Sequence, residues 1–391
     1  MARSRVAAPL LLAAAGCVVA ATATRDALPF VLVSDLDRAS RVQDGGRPAW
    51  RATLLHGELE RLPPPGVDEA GTGQCDPGSA RYRVRLGREE ELFSRHSYRE
   101  RGMELSDLAQ FGADRELWSV CDSTGLLYRL RGVSVSGSDD DGPPTALPQR
   151  VLLDDDGNSS LPCKSEWMAV KDGSLYVGGH GKEWVSAGVV RGRGAEWVRV
   201  LGADGSVRYE DWHERYGKLR AATNTSFPGY LSHEAVDWDG AQRRWIMVPR
   251  KAQASSVEGG YDDTVDELRG TNLLLSVSED FSAIQQVTLG AVDPAWGASG
   301  IRLLPVAEGS TSTVDGACTA AASRQARHVL VLRSSEQGGH AESSLGVFSV
   351  DDGQSLLASD AGGQAAGEAG TEAMWVSVGP RKYEGVALLP P

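Results

Sequence analysis

The sequence predicts an all-β fold built as an array of five similar units, and three observations predict it. Glycine is abundant, at 46 of 391 residues. Short strand-like runs are many, and runs with helical periodicity are few. Five stretches share one pattern: Ser106-Asp107-Leu108-Ala109-Gln110-Phe111, Ser165-Glu166-Trp167-Met168-Ala169-Val170, His233-Glu234-Ala235-Val236-Asp237-Trp238, Ser299-Gly300-Ile301-Arg302-Leu303-Leu304 and Tyr383-Glu384-Gly385-Val386-Ala387-Leu388. Each sets a polar residue before an acid (glycine in the fourth) and then runs on through mostly apolar residues. Repeats of this size mean an array of like units. Closed radially, the array lines a central channel with the first strand of every unit, and the acids meet in one ring.

The elements follow in order. Phe30-Val31-Leu32-Val33-Ser34 has the pattern of a buried strand and ends in Asp35-Leu36-Asp37. Trp50 to Leu55 is the next strand, Leu62 to Ser79 a loop rich in proline and glycine, and Tyr82 to Leu86 an alternating strand. Leu117 to Val120 and Leu126 to Leu130 form a hairpin around Asp122-Ser123-Thr124-Gly125. Ser134 to Pro148 is a polar insertion. Its Asp139-Asp140-Asp141-Gly142 lacks the spaced ligands and distal glutamate of an EF-hand and reads as solvated, as does Asp154-Asp155-Asp156-Gly157. Lys171-Asp172-Gly173 turns the second repeat into another strand. Val198 to Leu201 and Val207 to Glu210 pair through Gly202-Ala203-Asp204-Gly205, and Trp212 to Ala222 is a short helix. Leu273 to Val277, Gln286 to Leu289, Val329 to Leu332 and Leu345 to Val350 are strands. Ala307 to Arg327 and Gly362 to Gly370 are loops biased to small residues. No stretch reads as an interdomain linker, so residues 24–391 are expected to form one domain. The last repeat lies at 383–388, so the N- and C-terminal strands meet.

Residues 1–23 read as a secretory signal peptide: Arg3 and Arg5, an apolar run from Val6 to Ala23, and the cleavage pattern Ala21-Thr22-Ala23. The alternative is an uncleaved signal anchor, the one case in which a membrane is a partner. Either places the chain outside the cell or in the secretory lumen. After cleavage Cys75, Cys121, Cys163 and Cys318 remain, enough for two disulfides in any of three pairings. No close Cys/His spacing suggests zinc. Asn158-Ser159-Ser160 and Asn224-Thr225-Ser226 are glycosylation acceptor patterns. The formal charge of −13 argues against a nucleic-acid polymer as partner, and an anionic substrate needs local help from a metal or arginines. No phosphate-binding GxxxxGK[ST] loop is present. Oligomeric state is left open. The ring of acids carries the chemistry. Two carboxylates about 5 Å apart repel by roughly 3 kcal/mol at an effective dielectric of about 20. Such a ring needs protons or a hard cation, and calcium takes many oxygen ligands in irregular geometry.

Longer strings carry a resemblance. They are Ser34-Asp35-Leu36-Asp37; Arg101-Gly102-Met103-Glu104-Leu105-Ser106-Asp107-Leu108; Glu166-Trp167-Met168-Ala169-Val170-Lys171-Asp172; and Leu175-Tyr176-Val177-Gly178-Gly179-His180-Gly181-Lys182-Glu183-Trp184. Pro228 to Ala235, Arg244-Trp245, Pro249-Arg250, Asp266 to Leu275 and Lys382-Tyr383-Glu384-Gly385 follow in order. From about Val31 to the C-terminus, broken by insertions, the chain resembles the soluble calcium-activated nucleotidase family, a group of apyrases. The resemblance implies a five-bladed β-propeller with calcium (Ca2+) in a central tunnel. It also implies hydrolysis of nucleoside diphosphates, UDP and GDP before ATP. The family's calcium ligands map to Ser106, Asp107, Glu166, Glu234, Ser299 and Glu384, each serine offering either its hydroxyl or its backbone carbonyl.

The resemblance gives other residues roles in phosphoanhydride cleavage, which needs neutralised phosphoryl oxygens and an in-line water. Asp37 orients or deprotonates that water, with Asp35 in the same environment; an Asx turn is the other reading of Asp37. Arg250 clamps phosphate, with Arg41 a second candidate of the same kind. Trp167, beside Glu166, is a core residue or faces a base. The chain departs from the family at Cys121-Asp122-Ser123-Thr124-Gly125, where Asp-Asp-Arg-Thr-Gly is usual. It departs again at Gly297-Ala298-Ser299-Gly300-Ile301, where Gly-Phe-Ser-Ser-Phe is usual. Two other functions remain compatible: a non-catalytic, calcium-stabilised propeller that binds protein or glycan, and a propeller hydrolase of the lactonase or phosphotriesterase type.

Overall fold

Strands β1 (Ala27–Ser34), β2 (Arg41–Asp44), β3 (Arg47–Leu62) and β4 (Arg81–Ser94) open the chain. The first complete blade follows: β5 (Leu105–Phe111), β6 (Glu116–Cys121), β7 (Leu126–Arg131) and β8 (Thr145–Val151). The second uses β9 (Trp167–Lys171), β10 (Ser174–Gly178), β13 (Trp197–Leu201) and β14 (Val207–Asp211), with β11 (Trp184–Ser186) and β12 (Val189–Gly192) as a separate ribbon. Helix α1 (His213–Ala222) leads to the third, β15 (Tyr230–Asp239), β16 (Arg244–Gln253), β17 (Leu273–Ser278) and β18 (Ile284–Thr288). The fourth is β19 (Trp296–Leu303), β20 (His328–Gln337), β21 (His340–Ser349) and β22 (Val376–Gly379). The last strand, β23 (Tyr383–Leu388), pairs with β1, setting Ala387 opposite Val31, and completes a fifth blade with β1, β3 and β4. The computed structural model describes residues 27–62, 81–134, 142–256, 268–305, 327–358 and 374–390.

The result is a five-bladed β-propeller. The five repeats of the sequence are its five inner strands, β5, β9, β15, β19 and β23, each touching the next around the axis. Chain closure mixes the termini in one blade, as the position of the last repeat predicts.

The inner strands of each blade are buried on both faces, so they read as apolar runs rather than as alternations. The side-chain period of two still sorts them. In β1, Phe30 and Leu32 pack toward the fourth blade with Leu330, Leu332 and Leu345. Val31 and Val33 pack toward the first blade with Leu105, Leu108 and Leu126. Five large apolar clusters fill the five spaces between blades. The aromatic one, between the second and third, holds Trp167, Tyr176, Trp212 and Trp245.

Several expectations change. Trp50–Leu55 and Tyr82–Leu86 are parts of much longer strands, β3 and β4. The insertion expected over Ser134–Pro148 contains the start of β8, whose Pro148 lies opposite Tyr128. An outer strand faces water and tolerates proline, so its composition mimics a loop. Asp154 is not merely solvated: it receives Arg199 Nη2 at 3.1 Å, and Arg199 is buried. Cys121 and Cys163 are buried free thiols, so the two-disulfide expectation does not hold for them. The leader, Cys75, Cys318, Asp139–Asp141 and Gly362–Gly370 lie outside the described residues.

Candidate active site

The inner strands are bulged where they approach one another. In β5, Leu105 pairs with Cys121 and Asp107 with Val120, leaving Ser106 without a rung. In β15, β19 and β23 the skipped residues are Glu234, Ser299 and Glu384. Glu166 stands one residue before β9, its N–H donated to Gly178 at 2.7 Å. A bulge turns one residue out of the ladder and re-aims it, which is why bulges gather beside functional sites. Here the sequence pattern is off by one in two units. The structural equivalents of Glu166, Glu234 and Glu384 are Ser106 and Ser299, not Asp107 and Gly300. The ring slot therefore holds three carboxylates and two serines.

Four cations knit these and other acids together. Lys382 Nζ lies 2.9 Å from Asp35, 3.1 Å from Glu384, 3.3 Å from Glu336 and 3.5 Å from Asp37. Arg250 Nη1 lies 2.6 Å from Glu234 and 3.5 Å from Glu384, and its Nη2 lies 3.2 Å from Glu336. Lys164 Nζ joins Glu166 at 2.6 Å to Asp122 at 2.8 Å. Arg101 pairs with Glu104 and reaches Asp37 at 3.5 Å. With every group ionised, these eight carboxylates exceed the four cations by four charges. Arg250 is fixed by its own bulge in β16 and by Gly297, where a Cβ would lie 2.5 Å from its Cγ.

Burial and crowding shift these groups. Glu166 is pushed up to about 7, by burial first and by Glu234 and Asp122, against the pull of Lys164. Burial likewise raises Glu384, with Asp35 and Glu234 adding to it while Lys382 and Arg250 oppose. Glu104 rises to about 7 through burial, with Asp122 and Asp35 adding and Arg101 opposing. Asp37 is raised by burial and by the charge of Asp35. For Asp35, burial alone would raise the carboxyl, but the charge and hydrogen bond of Lys382 hold it below its ordinary value. Lys382 and Lys164 stay firmly protonated because the surrounding carboxylates outweigh the cost of burial.

This donor set fits a hard divalent cation. All its donors are oxygens, with no thiolate or imidazole among the three acids and two serines at the bulges. The hydroxyl of Ser106 and Oδ1 of Asp122 are buried without a hydrogen-bond partner among the described residues. Ser299 donates its hydroxyl hydrogen to the Tyr383 carbonyl at 2.9 Å, and its Oγ lone pairs and backbone carbonyl are the oxygens it can offer.

Three expected site residues sit elsewhere. Asp107 spends its carboxylate on the N–H groups of Leu108 and Met168, both at 2.7 Å, and on Arg302 at 2.9 Å. It thus caps the open edges of β5 and β9, and burial lifts it to about 7 in spite of Arg302. Trp167 has no exposed surface; its indole donates to Gly179 at 3.0 Å and its ring packs 5.7 Å from Trp212. It is core between two blades and cannot stack on a base. Arg41 pairs with exposed Glu100 at 3.2 Å and makes no ion pair to the clustered acids among the described residues. Asp35 accepts the Asp37 N–H at 2.7 Å, so the turn belongs to Asp35 and leaves the Asp37 carboxylate half-exposed toward the cluster.

Sequence reading missed Arg101, Glu104, Asp122, Lys164, Glu336 and Lys382. Three of them, Glu104, Lys164 and Lys382, flank the repeats by two residues or fewer, and that proximity is the signal that could have found them. Among the described residues two tight groups of potential ligands occur, Asp35–Asp37–Glu104 and Glu183–Glu196–His213. The second is neutralised by Arg220, which reaches Glu183 at 2.6 Å and Glu196 at 2.9 Å.

Comparison with known proteins follows the same lines. The sequence profile of the family described as Apyrase matches residues 37–389. Soluble calcium-activated nucleotidase 1 of Rattus norvegicus is 32% identical over 362 residues, covering 92% of this chain and 73% of that protein. The Apyrase of Cimex lectularius is 33% identical over 279 residues, covering 71% of this chain and 68% of its own. Apyrase apy-1 of Caenorhabditis elegans is 38% identical over 192 residues, covering 49% of each.

Proposed function

The chain belongs to the apyrase family, and from that premise we propose that it is a calcium-dependent hydrolase of nucleoside diphosphates, acting at the axial carboxylate cluster. Nucleotide phosphate hydrolysis is the activity the family and the names of its relatives carry. The preference for UDP and GDP over ATP, and the need for calcium, are the finer parts of the proposal. The observation that supports it is the convergence of four bulged slots, on β5, β15, β19 and β23, and of Glu166 just before β9, on one acid-rich site whose candidate ligands are all oxygens.

Glu166, Glu234 and Glu384, with Ser106 and Ser299, would hold the cation, while Asp107, its carboxylate taken by Leu108, Met168 and Arg302, would brace β5 beside them. When bound, calcium neutralises phosphoryl oxygens and polarises the terminal phosphorus toward attack. The protein's own groups do the rest. Arg250 offers a planar fork to the phosphate chain, and Lys382 a compact charge beside it. Asp37, raised above an ordinary carboxylate, holds the attacking water and accepts its proton. The water oxygen bonds to the terminal phosphorus as the bridging P–O bond breaks, and a nucleoside monophosphate leaves. Residues 1–23, as a secretion signal, would deliver this activity to the secretory pathway or beyond it. Among the described residues no helix is long and apolar enough to cross a membrane.

The test is phosphate release from UDP, GDP, ADP and ATP, with calcium and with chelator, for wild type and Glu166→Gln. Turnover of diphosphates that chelator abolishes and Glu166→Gln lowers at least about tenfold is the expected result. Calcium-independent turnover, or none of any nucleotide, contradicts the proposal.

A further inference from the structure

A cleft of about 250 Å³ opens beside the charge cluster and shares Arg250 and Glu336 with it. Its far wall is the turn before β19 and the start of that strand, from Pro294 to Gly297. That wall is clamped. Gly270 donates its N–H to Pro294 at 2.9 Å, and Thr271 donates to the Arg250 carbonyl at 3.3 Å. Trp296 lines the cleft and is held in place by Arg333, whose guanidinium lies 4.5 Å from its ring centre and 3.9 Å from that of Trp375. Ser334 also lines it; the residue is buried, and its hydroxyl has no hydrogen-bond partner among the described residues.

A fixed aromatic ring, an unspent buried hydroxyl and an adjoining phosphate-type cation together match one kind of ligand. We propose that this cleft takes the nucleoside moiety of the substrate: Trp296 presents apolar surface to the base, and Ser334 Oγ hydrogen-bonds a polar edge of base or ribose. The diphosphate then runs past Arg250 toward the axial acids. The inference rests on the nucleotide-hydrolase reading of the neighbouring site and adds to it where the nucleoside lies. A buried hydroxyl without a partner is costly, and a ligand that satisfies it gains affinity. Contact between a base and an aromatic side chain is sequence-tolerant, consistent with more than one nucleobase being accepted.

The test compares a ligand that has a nucleoside with one that does not. Trp296→Leu and Ser334→Ala are assayed for UDP hydrolysis, and methylenediphosphonate is used as a nucleoside-free competitive inhibitor. The expected result is a KM for UDP raised about tenfold in Trp296→Leu and less in Ser334→Ala, with kcat falling far less than affinity. Loss of UDP affinity should exceed loss of methylenediphosphonate affinity by at least about fivefold in both variants. Equal losses for the two ligands, or no loss for UDP, overturn the assignment of the cleft. Thermal melting confirms that each variant is folded; Ser334→Ala, which removes one oxygen atom, carries the test if Trp296→Leu does not fold. Wild-type protein that hydrolyses no nucleotide would sink the preceding proposal and this one with it. Wild-type turnover with equal losses overturns the cleft alone.

Discussion

Asp35 and Asp37 are two residues apart, and their surroundings separate them. Asp35 is buried against Lys382 and is held ionised. Asp37 is half-exposed, carries positive φ, and is raised by burial and by the charge of its neighbour. A raised carboxyl is the better proton acceptor near neutral pH, since general-base efficiency improves as the acceptor's pKa approaches the working pH. In the proposed mechanism Asp37 is the base and Asp35 positions it: Asp35 fixes the backbone of Asp37 through the Asp37 N–H and anchors Lys382. Asp37→Asn keeps the shape and removes the base. Its kcat for UDP should fall by about a hundredfold or more, with KM changed far less, in steady-state assays at saturating calcium. A rise in KM alone would show that Asp37 binds substrate and does not handle water.

At the level of strands, the repeat was legible because each inner strand carries the same short apolar run. The register within it was not. A bulge adds one residue to a strand without changing composition, so Asp107 and Glu234 occupy one slot in the sequence pattern and different slots in the sheet. Gly300 reads as a lost acid; a Cβ there would lie 2.5 Å from the Glu384 carbonyl oxygen, so close approach of β19 and β23 explains the glycine. Gly385 answers to the same constraint, 2.7 Å from the Asp107 backbone. The outer strands were least legible because they alternate weakly and face water, as β8 shows. The cations Lys164 and Lys382 were hidden because they lie outside the repeat, and their roles depend on partners from other blades.

Contacts between blades also make a strand-level prediction. His328, at the start of β20, shares a 2.8 Å hydrogen bond with the Tyr82 hydroxyl of β4 through Nδ1. Burial, helped by the charge of Arg61, lowers it to about 4 from its ordinary 6.5. The unfolded chain therefore takes up a proton below about 6.5 that the folded chain refuses until about 4. This contribution is complete above the upper value and is lost as pH falls through the window. Melting temperatures of wild type and His328→Gln between pH 4 and 7 should show a shallower acid-side decline in the variant. Parallel declines would remove His328 from the account.

Across the whole molecule, the ring and the site are one construction. The axial acids come from all five blades, and closure of β23 on β1 brings Glu384 beside Asp35 at Lys382. That closure concentrates like charge, which a closed propeller tolerates only with counter-ions; Lys164, Arg250, Lys382 and Arg101 supply part of this and leave the acids in excess. The composition of the chain showed an acidic protein, and only the topology shows where the acid is gathered. The most direct measurement is calorimetric titration of calcium into chelator-treated protein, for wild type and for Glu166→Gln/Glu384→Gln. The account predicts saturable binding by wild type, weakened at least about tenfold in the double variant when both are measured at the same mildly alkaline pH. No saturable binding by wild type, or equal affinity in both proteins, would contradict it.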